Sequence, residues 1–194
     1  MLPQWGAGSP PDGRVSKPAV SMMEFLARFR VALGWVCAPL VLILAHPSRE
    51  SLVVGAVVGA IGEAIRIWAA GHLYKSREVT SSGPYRYLAH PLYVGSTLMG
   101  LGLALAAANL IAAGLIGAYL FITLGAAIKN EEAFLRRTFG EQYDLYKQQR
   151  VVNARRRFST SQAFANREYR ALIGLVAAML LLVLKATYNG FLGG

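Results

Sequence analysis

The chain has 194 residues, 55% of them hydrophobic and 15% charged, with a mean hydropathy of +0.40. A soluble domain carries roughly 25% charged residues, and here the deficit is concentrated in runs, which excludes a soluble globule with a greasy core. The formal net charge of +10 sits at the ends of those runs, which makes it a topology signal and not a nucleic-acid footprint.

Residues 1–20, with GSPPDG and scattered Pro and Gly, read as a disordered lead-in, and residues 21–194 as one membrane domain. The run from Leu92 to Ile128 is far too long for one crossing of a ~30 Å hydrocarbon core, which needs about 20 residues. Asn109 falls near its middle, so the run is expected to be a tight hairpin of two helices. The fold class is therefore an all-α integral membrane protein with five transmembrane helices, at 31–46, 52–73, 92–108, 110–128 and 171–188. The first span lacks a small-residue cleavage site and reads as an uncleaved anchor. Cys37, the one cysteine, lies in that span and cannot make a disulfide framework. Only Arg49 and Lys185 fall on the side opposite the other basic residues, and Arg66 lies inside a span. The positive-inside rule then puts the N-terminus in the cytoplasm and the C-terminus outside. Attraction of this basic side to anionic headgroups adds to that orientation.

Templates for soluble enzymes fail: no GxGxxG, P-loop, HExxH or Cys/His cluster is present, and no metal site is expected. Three polar clusters remain. Within GEAIRIWAAGHLYKSRE, Glu63 and Arg66 are one turn apart inside the second span, where ionisable groups are costly and mark a functional site by default. A mutual i, i+3 pair serving only structure is the alternative. In GPYRYLAHPLYVG, the Gly83-Pro84 break precedes the membrane and Pro91 opens the third span. His90 falls at its N-cap, where free amides and the helix dipole favour an anion. The alternative is an interfacial belt of Tyr85, Tyr87 and Tyr93. After the fourth span comes Lys129-Asn130-Glu131-Glu132, whose acids either serve a site or pair with Arg136 and Arg137 on a solvated turn. The stretch AFLRRTFGEQYDLYKQQR places Leu135, Phe139, Gln142 and Tyr146 on one face, as in a helix lying on the membrane or capping a pocket.

GPYRYLAHPLYVGS followed by NEEAFLRRTFGEQYDLY resembles the membrane methyltransferases related to isoprenylcysteine carboxyl methyltransferase and phospholipid N-methyltransferase. The resemblance covers about residues 60 to 150, and RIWAAGHLYK is similar to a bacterial branch of that family. It implies S-adenosylmethionine as cofactor, S-adenosylhomocysteine as product, and a cofactor pocket at the cytosolic ends of the spans. Carried over by position, the cofactor residues are Tyr85, Arg86, His90, Pro91, Tyr93, Gly95, Glu131, Glu132 and Leu135. Glu132 and His90 are the catalytic candidates, His90 chiefly in an orienting role. One departure is Ala89, where many relatives have Arg before the His-Pro. The span at 171–188 lies outside the resemblance.

The chemistry suits these residues. The start of the third span suits a carboxylate, Glu131 and Glu132 an amine and ribose hydroxyls, and Tyr85, Tyr93, Leu135 and Tyr143 an adenine slot. Aromatic rings can also attract a sulfonium, worth about 0.5–2 kcal/mol. Methyl transfer is an in-line displacement in which the protein mostly positions the partners. An amine or thiol acceptor needs a base, for which Glu132 or Glu63 is available; a carboxylate acceptor needs none. The expected acceptor is a lipid or another lipophilic small molecule, with Glu63, Arg66, Trp68 and Lys75 on its side of the site. The competing readings are a membrane reductase using NADPH on a related helical core, a non-enzymatic scaffold, and a small transporter subunit.

Overall fold

The computed structural model describes residues 22–74, 79–148 and 157–192, and every regular element among them is helical. The lead-in at 1–20 and the site candidate Lys75 lie outside the described residues. The helices are α1 (Met22–Leu44), α2 (Arg49–Ala70), α3 (Pro91–Ala107), α4 (Leu110–Phe139), α5 (Glu141–Lys147), α6 (Thr160–Ala165) and α7 (Tyr169–Leu192), with a single 3-10 turn at Gly83–Arg86 before α3. Three stretches are long and apolar enough to cross a membrane: α2, α4 and Tyr169–Gly190 of α7. The Val31–Leu44 part of α1 and the whole of α3 are apolar but shorter.

Local chemistry explains where these helices start and stop. Ser48 and Ser51 form a reciprocal capping box, each hydroxyl accepting from the other's backbone N–H at 3.1 and 2.9 Å, so α2 begins three residues earlier than hydropathy alone placed it. Ala108 adopts the left-handed region at φ +48 and ends α3. Asn109 then caps α4, its Oδ1 accepting from Ile111 and Ala112 N–H at 3.0 Å each. The largest departure from expectation is α4. It runs on for eleven residues beyond the apolar stretch, to Phe139, as one helix.

Helix packing rests on glycine. Gly55, Gly59 and Gly62 recur every three or four residues on α2 and meet Gly95 and Gly102 of α3. Small residues at this spacing let two backbones close in, the main source of helix association where lipid competes for apolar contact. A Cβ at Gly62 would lie 2.6 Å from Gly95 O, and one at Gly102 would lie 2.5 Å from Gly59 N. At one end of the bundle, His46 N–H donates to Ala107 O at 2.8 Å, and Lys185 Nζ donates to Leu42 O and Ile43 O at 2.5 Å, covering the last carbonyls of α1. The opposite end gathers the C-terminus of α2, the start of α3, the far half of α4 and the start of α7. That end holds the polar residues.

Gly62→Val should lower the thermal unfolding midpoint in detergent by the equivalent of about 1–3 kcal/mol, because the clash is with backbone that cannot rotate away. Gly114→Ala, where an added Cβ meets nothing within 4 Å, should leave the midpoint unchanged. Equal midpoints for the two variants would refute the close α2–α3 contact.

Candidate functional site

The loop before α3 is fixed by its glycine and prolines. Gly83 takes φ +59, and a Cβ there would sit 2.7 Å from the His72 ring, so both conformation and space demand glycine. His72 is itself buried, its Nδ1–H donating to Trp68 O at 2.9 Å. Pro84 and Tyr85 are buried in the 3-10 turn that follows. Tyr87, by contrast, is 73% exposed, so the interfacial-belt reading suits that tyrosine alone. Pro91 opens α3 and His90 is its N-cap, but the imidazole does not cap its own helix. It reaches α4 instead: Nε2 donates to Glu132 Oε1 at 3.3 Å, and Nδ1 lies 3.9 Å from Glu131 Oε2.

The acidic doublet gets there because α4 is long. Its 30 residues span roughly 45 Å at 1.5 Å per residue, more than a ~30 Å core requires. The last turns therefore project past the apolar layer. Gly140, at φ +50 with no atom within 4 Å of its Cβ position, breaks the helix through backbone conformation alone. Arg136 and Asp144 pair across the break at 3.6 Å, so Arg136 has an acidic partner other than the doublet. α5 then folds back over the site with Tyr143 and Tyr146 buried. The Tyr146 hydroxyl donates to Tyr85 O at 2.9 Å, tying α5 to the loop that precedes α3.

Charge and burial act together on these phenols. Burial, then the negative charges of Glu132 and Glu131, push Tyr143 up to about 12. Burial, then Tyr143 and Glu131, push Tyr146 up to about 12. Burial followed by Glu131 raises Tyr85 as well. All three remain protonated donors at neutral pH. Because the folded values lie above the ordinary 10.0, the stability that these groups contribute is complete below pH 10 and is lost as pH rises through about 12.

Arg66 supplies the third wall. Its stem passes α3 where Gly95 has no side chain, a Cβ there lying 2.5 Å from Arg66 Cγ. Its Nη1 donates to Ser96 Oγ and to Leu92 O, and its Nε donates to Glu168 Oε1 at 2.6 Å. Glu63 Oε2 lies 3.8 Å from the same Nε. Glu168 is placed by the turn between α6 and α7. There Asn166 Nδ2 donates to Ala70 O and Leu73 O, and Gln162 Nε2 donates to Leu73 O, all at 2.8 Å. These bonds take up Ala70 O, the last carbonyl of α2, and Leu73 O just beyond it; the helix ends at Ala70, three residues before the expected boundary. Between the walls lies a cavity of about 880 Å³, lined among others by Arg66, Tyr85, Tyr93, Glu131, Leu135 and Glu168. That volume falls in the range of sites for small molecules and cofactors, roughly 300–1,000 Å³.

Residues 50–142 match the family model for phospholipid methyltransferase. Over that stretch, just under half of the chain, the protein is similar to the phospholipid methyltransferase family. It is 28% identical over 141 residues to the nickel-cobalt-cadmium resistance protein NccN of Alcaligenes xylosoxydans xylosoxydans, covering 64% of this chain and 66% of that protein. It is 29% identical over 116 residues to the protein-S-isoprenylcysteine O-methyltransferase of Schizosaccharomyces pombe, covering 60% of this chain and 44% of that one. The chain thus spans less than two thirds of the length of either relative. No solved structure matches it.

Of the site residues expected for this family, Tyr85, Tyr93, Glu131, Leu135 and Arg66 line the cavity. His90 and Glu132 pair beside it. Pro91 and Gly95 are buried in the α3 entrance and the α2–α3 contact. Arg86 and Trp68 are exposed and line none of the described cavities, and Glu63 is buried behind Arg66. Ser96, Tyr119 and Glu168 were not anticipated. The available signal for Glu168 was an acid in the basic stretch NREYR just ahead of an apolar run, complementary to an in-span arginine.

Tyr146→Phe removes the hydroxyl donor to Tyr85 O and should cost about 0.5–1.5 kcal/mol. Faster limited proteolysis between α4 and α5, at unchanged expression, is the expected readout; an unaltered cleavage rate would show that the clamp carries no stability.

Proposed function

We propose that the chain is an S-adenosylmethionine-dependent methyltransferase acting on a lipophilic acceptor at the cytosolic face of a bacterial inner membrane. In this reading residues 21–194 form one unit that crosses the bilayer five times, with α3 and α4 as a helical hairpin and the N-terminus in the cytoplasm. The observation that carries it is the meeting of His90 with Glu132 at 3.3 Å and with Glu131 at 3.9 Å, beside a nucleotide-sized cavity that Glu131 lines. The family match over residues 50–142 and the isoprenylcysteine O-methyltransferase relative support the same chemistry.

The residues fit the cofactor's chemistry. When bound, it supplies an electrophilic methyl group on a sulfonium. The Leu92 amide in the first turn of α3, together with the His90 imidazole, suits its carboxylate. Glu131 suits its amine, and Glu132 holds the His90 ring in orientation. Tyr85, Tyr93 and Leu135 provide apolar and aromatic surface for the adenine. The acceptor approaches from the membrane side, past Arg66.

Equilibrium binding of S-adenosylhomocysteine to the detergent-solubilised protein tests this reading. Glu132→Gln and His90→Ala should each weaken affinity by about 10–100-fold, the value of hydrogen bonds to charged groups, with expression and thermal midpoint retained. Saturable NADPH binding with no affinity for S-adenosylhomocysteine would overturn it.

A further inference from the structure

A second cavity of about 380 Å³ lies among α1, α3, α4 and α7 and is open on one side. It adjoins the 880 Å³ cavity, since Arg66, Ser96 and Tyr119 line both. Apart from Arg66, no charged side chain lines it. Around it α4 packs on both α1 and α3, and α3 packs on α7, whereas α1 and α7 touch little. The opening therefore falls between α1 and α7. Their contact is gathered at the end away from the polar residues. There Leu182 shares one apolar cluster with Val41, Leu42 and Ala45, and Lys185 Nζ donates to Leu42 O and Ile43 O at 2.5 Å. At its other end α7 is held to α2 instead, through Glu168 and Arg66 at 2.6 Å. Between these anchorages the facing walls carry small residues, Gly34 and Ala38 on α1 and Ala171 and Ala178 on α7, so little side chain fills the gap.

Resting on the methyltransferase reading above, we infer that the gap between α1 and α7 is a doorway through which a lipid of the cytoplasmic leaflet moves sideways into the site. Its chain region occupies the apolar cavity and its head reaches the polar one. The direction of the space argues for this occupant. On α7 the lining runs from Ala171 to Leu182, roughly 16 Å along the helix at 1.5 Å per residue. The polar cavity adjoins the Ala171 end, where Arg66 and Glu168 lie. A cytoplasmic-leaflet lipid already stands this way, head at the surface and chain toward the bilayer centre. It enters without turning over and without drawing its chain through water. The lining offers that chain an apolar surface much like its own surroundings, and an apolar gap of this kind does not hold water. The rival route is the groove of about 810 Å³ between α3 and α4, which shares Tyr93 and Leu124 with the polar cavity. Those two helices are joined directly through Ala108 and Asn109, and Leu120 of α4 seats against Gly100 of α3, which holds them together. α7 lies beyond the family-matched residues 50–142, so one post of the doorway comes from a part of the chain that the match does not describe.

The test reconstitutes the full-length protein in phosphatidylcholine vesicles that carry a trace of phosphatidylcholine with a mid-chain diazirine. After illumination, adducts mapped by mass spectrometry should fall on Met99 and Leu103, which line the apolar cavity from α3. They should also fall on the outward-facing Trp35 and Leu180, which any surrounding lipid reaches. Ala178→Phe fills the gap. It should abolish the Met99 and Leu103 adducts, keep those on Trp35 and Leu180, and leave S-adenosylhomocysteine affinity within about twofold of the parent, as expected for a distant site. If Ala178→Phe does not fold, Ala178→Leu carries the same test. Adducts on Trp35 and Leu180 alone, Met99 and Leu103 adducts that persist in the filled variant, or adducts on Thr97 and Gly117 of the α3–α4 groove in their place would overturn the inference. Each of those results, obtained with a protein that binds S-adenosylhomocysteine, leaves the methyltransferase reading standing. Absence of S-adenosylhomocysteine binding to the parent would instead overturn that reading.

Discussion

A guanidinium inside a membrane helix organises this molecule. Arg66 lies four residues from the end of α2, roughly 6 Å below it at 1.5 Å per residue, and its charge must be met within the protein because lipid cannot do so. Glu63 is on the same helix, but its carboxylate is 3.8 Å away and makes no hydrogen bond among the described residues. The close partner is Glu168, brought in from the start of α7, while Ser96 and Leu92 O come from α3. One side chain thus ties three helices together at the polar end of the bundle. The glycine at position 95 belongs to the same device, because any larger residue would block the arginine's path.

The neighbouring contact has a different character. His90 and the Glu131–Glu132 pair are 41 and 42 residues apart, and both lie where apolar helices emerge. Here the polar groups are partly exposed, and two separate restraints hold them in place: the Pro91 start of α3 and the Tyr146 clamp from α5. Rigid support of this sort is what a binding site needs, since donors and acceptors left to find their own orientation lose affinity to ordering. An apolar-lined cavity of about 380 Å³ adjoins the Arg66 side of the polar one.

Much of this was legible from residue order. Apolar runs, the Asn109 cap and Pro91 at the head of α3 are local signals, each depending on a few neighbouring residues. The stretch from Ala133 read as one helix with Leu135, Phe139, Gln142 and Tyr146 on a single face, whereas Gly140 divides it into the end of α4 and α5. The family pattern in GPYRYLAHPLYVGS and NEEAFLRRTFGEQYDLY located the two strips that meet around the larger cavity. Boundaries were less readable where a distant group intervened. α2 stops at Ala70, where Asn166, almost a hundred residues on, covers its last carbonyl, while Asn166 and Gln162 hold Leu73 O just beyond. Hydropathy could not set the length of α4 either, since a helix may continue into water once its own hydrogen bonds and a surface partner sustain it.

Sequence alone fixed the helical class, the lipid-facing character and the residue types available for chemistry, because backbone hydrogen bonding in hydrocarbon leaves few options and side-chain chemistry travels with the residue. Three-dimensional packing chose among partners. Glu63 was the obvious mate for Arg66 by spacing, yet Glu168 has the shorter contact; Gly95 clears a path for an arginine; Trp68 faces outward. Such choices depend on the rotation and depth of each helix against its neighbours. Those are set by glycine contacts and long-range ion pairs summed over the whole bundle, and no local window contains that sum.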